Sequence, residues 1–180
     1  MFGVATALDG EHYKLVEDLW REFKERFGVH GIHITPIPHF SYHVADSYEL
    51  DLLDDMMYAI ARDFKPFTVK TNGLGIFTGT TPVLYIPVVR NPSLAALHKR
   101  VWEAANPISV NPLEYYSPDN WRPHITLTHH DVDHDLLPSV IRSISERNFN
   151  WSLTVDSLSL IGGDDVRSLR SRIFFDESLS

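Results

Sequence analysis

A five-residue pattern occurs twice in this chain and limits how it can fold. Residues 38–42 read P-H-F-S-Y and residues 123–127 read P-H-I-T-L: proline, histidine, apolar residue, hydroxyl residue, bulky residue. A strand sends alternate side chains to opposite faces. Each copy therefore projects a histidine beside a hydroxyl, His39 with Ser41 and His124 with Thr126, while Phe40, Tyr42, Ile125 and Leu127 turn toward a core. Whatever surrounds these segments has to build two similar strand starts and bring them to one place.

Spacing alone is weak evidence. The chain has ten histidines, and with Ser or Thr at roughly one position in eight, about one chance H-x-[S/T] is expected. Three occur, at His33, His39 and His124. The second and third stand out because each follows a proline, has an apolar residue between histidine and hydroxyl, and opens an apolar run. His33 lacks this context, since Pro36 interrupts any strand after Thr35.

The rest of the chain supplies a strand at 2–8 and a turn at Asp9 and Gly10. An amphipathic helix follows at 11–27, carrying Leu15, Leu19, Trp20, Phe23 and Phe27 and stopped by Gly28. Gly31, Pro36 and Pro38 make 29–38 irregular. A second helix is expected at about 47–63, with an acidic first turn. Strands at 67–77 and 83–89, joined across G-T-T-P, form a hairpin. Pro92, Leu94, Leu97, Val101 and Trp102 mark a third helix, followed by a long loop over 106–122, of the kind that is often functional. A strand at 124–129, a helix near 135–147, and strands at 151–161 and 169–175 separated by G-G-D-D close the order. A strand-helix-strand-helix-hairpin unit is stated and partly restated, as in a two-lobed α+β protein.

Size and charge narrow the partners. With 180 residues, 43% of them hydrophobic and 22% charged, the chain fits one folded domain or two lobes sharing a core. A net charge of −8 argues against coating long nucleic acid, which needs many Lys and Arg contacts, but permits a small or end-bound nucleotide. Absence of cysteine excludes disulfides, thiolate zinc sites and a cysteine nucleophile. The first eight residues are too short an apolar stretch for a signal peptide or a membrane span, so a cytoplasmic location without membrane attachment is expected; a monomer is expected as well.

Two imidazole–hydroxyl pairs facing one cleft meet the needs of phosphodiester hydrolysis without metal. One neutral imidazole takes a proton from the attacking oxygen and one protonated imidazole gives a proton to the leaving oxygen, near the pH where histidine titrates. The hydroxyls donate hydrogen bonds to the non-bridging phosphate oxygens. On P-H-F-S-Y and P-H-I-T-L, supported by W-R-P before the second motif and by the element order, the chain resembles the two-histidine phosphoesterases, in particular 2′-5′ RNA ligase-like proteins. The resemblance spans most of the chain. It implies one bilobal α+β domain over residues 1–180, with two pseudo-symmetric lobes of mostly antiparallel sheet, helices outside and a central cleft. It also implies action on 2′,3′-cyclic phosphates or 2′-5′ phosphodiesters of nucleotides or RNA, possible reversible ligation, and no cofactor. His39, Ser41, His124 and Thr126 map onto that family's catalytic positions. Serine in the first motif departs from the commoner threonine but keeps the hydroxyl.

Other residues are candidates for substrate contact. By strand alternation His43 joins His39 and Ser41, and Thr128 and His130 join His124 and Thr126, lining the site or packing beneath it. Phe77, Tyr116 and Trp121 offer rings for a base, and Arg90 and Arg122 offer guanidinium groups for a phosphate. The run T-H-H-D-V-D-H-D at 128–135 has the composition of a metal site, yet Asp131 or Asp133 equally serves as the N-cap of the following helix. The glycines of 73–79 do not fit a dinucleotide or phosphate loop. Two further readings stay open: a non-catalytic module that binds a nucleotide or RNA end, and a metal-dependent hydrolase using residues 129–135.

Overall fold

The computed structural model describes residues 1–34, 37–162 and 167–175. Its elements, in chain order, are β1 (Phe2–Ala7), α1 (Gly10–Phe27), β2 (His39–Ala45), β3 (Ser47–Tyr48), α2 (Leu50–Asp63), β4 (Phe67–Lys70), β5 (Gly75–Phe77), β6 (Val83–Pro87), α3 (Pro92–Ala105), β7 (Ser109–Val110), β8 (His124–Thr126), α4 (Leu137–Ile144), β9 (Ser152–Val155), β10 (Ser157–Gly162) and β11 (Arg167–Ile173). Thr35, Pro36 and most of the G-G-D-D turn lie outside the described residues.

Two antiparallel sheets organise the molecule. The first has the order β11-β10-β1-β2. The second is assembled from β9-β4 and β5-β6-β8, joined by a bridge between Thr71 and Val88, so that 67–77 forms one interrupted strand against 83–88. Each sheet thus ends on a strand that begins with a motif histidine: β2 edges the first and β8 the second. Helices α2 and α3 cover the first sheet. Helix α1 goes to the second sheet instead: Trp20 bonds the Thr126 carbonyl, His12 packs on Trp151, and Glu22 pairs with Arg147 just beyond α4. Apolar side chains of both sheets, among them Val4, Phe40 and Leu160 with Leu84, Ile125 and Leu153, belong to one core.

Local signals account for the helix ends. Asp9 caps α1 by accepting from the backbone N–H of His12 at 3.1 Å, so the helix begins at Gly10. Gly28 ends it at φ 71°, a left-handed conformation that suits glycine. Asn91 and Pro92 start α3 in a similar way, the Asn91 side chain accepting from Leu94 N–H.

Three expectations change. Helix α2 starts only at Leu50, because Ser47 and Tyr48 pair with Ser109 and Val110 from the long loop. The strand expected at 151–161 is two strands: β9 pairs with β4 in the second sheet and β10 with β1 in the first, the chain changing sheets at exposed Asp156. The 124–129 strand ends at Thr126, beyond which both Leu127 and Thr128 N–H donate to the Leu84 carbonyl, two residues against one in the manner of a bulge.

Candidate active site

The two motif segments are held by the same set of contacts. The carbonyl of the motif proline accepts a backbone N–H in each case, Pro38 from Leu8 and Pro123 from Val88, both at 2.9 Å. Each histidine turns Nδ1 back onto the carbonyl two residues before it, His39 onto Ile37 at 2.5 Å and His124 onto Arg122 at 2.6 Å. A carbonyl can only accept, so Nδ1 carries the proton in both rings and Nε2 is the nitrogen left for exchange with a substrate. Each hydroxyl residue has its backbone carbonyl bonded by an indole N–H: Trp121 donates to Ser41 at 2.8 Å and Trp20 to Thr126 at 3.2 Å.

Each motif also ends in a bulge. In β2 the pairing with β1 skips Tyr42, since Ser41 faces Ala5 and His43 faces Val4. In β8 the bulge falls at Leu127 and Thr128. The burial along β2 follows the shift: His39, Ser41 and Val44 are half-exposed, whereas Phe40, Tyr42, His43 and Ala45 are buried. His39, Ser41, His124 and Thr126 are all partly open, and their apolar neighbours are closed.

Strands β2 and β8 pack against each other, which brings the His124 imidazole near enough to affect the ionisation of His39. Burial pushes the His39 pKa below its usual value; the bond to Ile37 opposes this and the charge of His124 adds to it. His124 is likewise lowered by burial, with the Arg122 carbonyl opposing. Without a ligand, both rings therefore favour the neutral form at neutral pH. An anion between them would reverse that preference by stabilising the imidazolium.

Aromatic rings back the second half of the site. His124 lies edge-to-plane against Phe77 (centroids 4.9 Å apart) and Tyr85 (5.4 Å), which stack on each other at 4.1 Å. Phe77 thus packs against a motif histidine. Tyr85 was not anticipated, although its pairing with Thr126 places it on that face, and the hairpin register would have shown it. Gly75 makes room for it: a β-carbon there would lie 2.4 Å from the Tyr85 ring. Trp20 was also missed in this role, since helical spacing marked it only as core.

The remaining candidates fall in different places. Tyr116 reaches the Ser41 hydroxyl with its phenol, and burial raises its pKa against that bond. His43 does not line the site: the bulge turns it inward, where it is fully buried, bonded to the Tyr48 hydroxyl at 2.7 Å and packed on Trp102. Thr128 is turned inward by the second bulge and accepts from Leu84 N–H. Trp121 is 2% exposed and stacked on His98 at 3.8 Å, so its faces are not open to a base. Arg90 lies over Trp121 and bonds the Pro118 and Trp121 carbonyls. The Arg122 side chain is exposed, and the residue serves the site through its carbonyl. His130 has left the strand, at φ 59°, and meets Thr81.

The 128–135 run has structural employment. Asp131 accepts from the backbone N–H groups of His30, Gly31 and His129. Asp133 accepts from those of Asp135 and Leu136, capping the turn into α4. Among the described residues, no three His, Cys, Asp or Glu side chains converge in a way that could hold a metal ion. Among the same residues, no helix is long and apolar enough to cross a membrane.

Comparison with known proteins agrees with this architecture. Among solved structures, the protein TT0787 of Thermus thermophilus is similar over 98% of each chain, with a TM-score of 0.68 at 16% identity. E. coli LigT complexed with 3′-AMP is similar over 97% of this chain and 98% of its own, at 0.60 and 15%. LigT in its apo form is similar over 97% of both, at 0.58 and 16%. At such identities the likeness is one of fold. No curated protein sequence matches the chain. The sequence model of the 2′-5′ RNA ligase superfamily matches residues 8–167, and with nearly the whole chain covered this protein belongs to that superfamily of two-histidine phosphoesterases.

Proposed function

We propose that this protein is a phosphodiesterase that opens 2′,3′-cyclic phosphates, or cleaves 2′-5′ phosphodiester bonds, of a nucleotide or RNA end, acting as a monomer and without a metal. The observation that carries this is the matched anchoring of His39 and His124, each with Nδ1 held by a main-chain carbonyl and Nε2 left for proton transfer.

In the forward direction water attacks phosphorus while one Nε2, neutral, takes its proton. The other Nε2, protonated, delivers a proton to the departing 3′ oxygen. The products are a 2′-phosphate and a 3′-hydroxyl, and the two rings have exchanged protonation states, which solvent resets. Ser41 and Thr126 donate to the non-bridging oxygens as charge gathers on them. The same groups serve when a 5′-hydroxyl replaces water: it attacks the cyclic phosphate, gives its proton to the neutral Nε2 as the 3′ oxygen leaves with a proton from the other, and a 2′-5′ bond forms, so joining ends is a minor activity.

Net charge −8 favours a substrate met through a few contacts rather than a long polyanion. The direct test is 2′,3′-cyclic AMP with purified protein in EDTA, followed by 31P NMR. Ring opening to the 2′-phosphate is expected. Binding without turnover would instead support a nucleotide-binding module, and turnover restored only by added metal would contradict the scheme.

A further inference from the structure

Trp121 occupies a position that neither core packing nor substrate contact explains by itself. Its indole lies between the two halves of the molecule. On one face it is stacked on His98 of α3, the helix over the first sheet, with ring centroids 3.8 Å apart and planes 3° apart. Arg90, which follows the β6 strand of the second sheet, also lies over the indole, and Tyr42 of the first motif packs on it at 5.8 Å. The Arg90 guanidinium sits 5.6 Å from the indole centroid and bonds the Trp121 carbonyl. The indole N–H donates to the carbonyl of Ser41, the hydroxyl residue of the first motif.

The main chain then carries this anchor into the second motif. Trp121 is three residues before His124, a span of at most about 10 Å. Both intervening residues are fixed: the Arg122 carbonyl holds His124 Nδ1, and the Pro123 carbonyl accepts Val88 N–H of the second sheet. A short, bonded stretch of chain thus runs from the backbone of Ser41 to the imidazole of His124. Trp20 makes the corresponding bond to Thr126 but comes from a helix that packs on the same sheet as Thr126, so it braces one half-site without tying it to the other.

We propose that Trp121 is a positioning residue that sets the separation of the two half-sites, with His98 and Arg90 as the jaws that hold it. The role rests on the phosphodiesterase reading. An in-line displacement needs its acid and base on opposite sides of one phosphorus, and a misplacement of about 1 Å is worth up to roughly a hundred-fold in rate.

The test compares Trp121→Phe, which keeps a stacking ring and loses the N–H, with Trp102→Phe, which alters a ring packed on His43, outside both five-residue motifs. With 2′,3′-cyclic AMP, Trp121→Phe is expected to lower kcat by roughly ten- to a hundred-fold with KM changed less than about threefold, and Trp102→Phe to leave both nearly unchanged. A Trp121→Phe enzyme with near wild-type kcat, or an equal fall in Trp102→Phe, overturns the proposal. A titration of inorganic phosphate against the imidazole NMR signals of His39 and His124 separates this inference from the activity on which it rests. In wild type both signals move with one midpoint, and in Trp121→Phe the midpoints part. That result with no turnover by wild type sinks the phosphodiesterase reading and leaves the positioning role standing; one shared midpoint in both proteins overturns the positioning role. If Trp121→Phe does not fold, Arg90→Ala at its exposed site carries the comparison. A lower kcat at constant KM is expected, whereas a raised KM at constant kcat would make Arg90 a phosphate ligand and overturn its part in the clamp.

Discussion

The site's acid–base behaviour is set by single residues whose surroundings differ from water. His39 and His124 both sit below the usual histidine range because burial disfavours the imidazolium. The bell-shaped pH profile of kcat/KM, which reports the unliganded enzyme, is therefore expected to centre on the acidic side of about 6.5. The profile of kcat is expected at higher pH, because a bound phosphate anion raises both rings. A kcat/KM optimum well above neutrality would contradict this. Ser41→Ala and Thr126→Ala each remove one donor to the charge-bearing oxygens, and a kcat loss of about a hundred-fold apiece is expected from steady-state rates. The four central residues were legible in the sequence because a proline, an apolar spacer and a hydroxyl recur together. His43 was misplaced for a physical reason: strict alternation was carried past Ser41, and the extra residue of a bulge reverses the faces beyond it. Nothing in H-F-S-Y-H-V-A marks that extra residue. Trp121 and Arg90 were singled out as substrate contacts, whereas the Trp121 ring is enclosed and Arg90 lies over it; their contact with each other and that of Trp121 with His98 join segments far apart in sequence.

At the scale of elements, the bulges matter because each converts a polar residue from site lining into internal support. Thr128 is fully buried and its hydroxyl satisfies Leu84 N–H. Thr128→Val keeps the shape and leaves that buried donor unpaired, so a loss of about 1–3 kcal/mol is expected in urea denaturation. Near-wild-type stability would show that the N–H finds another acceptor. Gly31 presents a similar constraint, since a β-carbon there would lie 2.1 Å from the His129 carbonyl in the segment that Asp131 staples. Element boundaries were the least legible part of the fold, yet one clue was present. The apolar residues Leu153 and Val155 stand at odd positions and Leu158 and Leu160 at even ones, and a single strand with one apolar face would keep its parity. The change of phase around Asp156 is where the chain leaves one sheet for the other.

For the whole molecule, two sheets with matching edge strands share one core, and the helix after β1 covers the opposite sheet. That crossing follows from tertiary packing and has no local signature; the two-lobed plan was legible only through the repeated element order and the family resemblance. Burial of titratable groups beneath the first sheet gives folding a pH dependence. Burial lowers His43 to about 4, with His98 nearby adding to it, and lowers His98 to about 4, with Arg90 adding. The unfolded chain binds these protons near 6.5, so stability is intact above that pH and falls as pH drops from about 6.5 toward 4. The loss is on the order of 3 kcal/mol per histidine. His98→Gln is expected to flatten the decline between pH 6.5 and 4 in thermal melts, and an unchanged slope would contradict it. In the proposed scheme the two lobes bring His39 and His124 to one phosphorus as a single acid–base unit. The most direct measurement is kcat/KM for 2′,3′-cyclic AMP with His39→Ala, His124→Ala and the double variant. If the pair works as a unit, each single change lowers the rate by roughly 10²- to 10⁴-fold and the double variant is little slower than either. Losses that multiply in the double variant, or a single variant that keeps most of the activity, would contradict it.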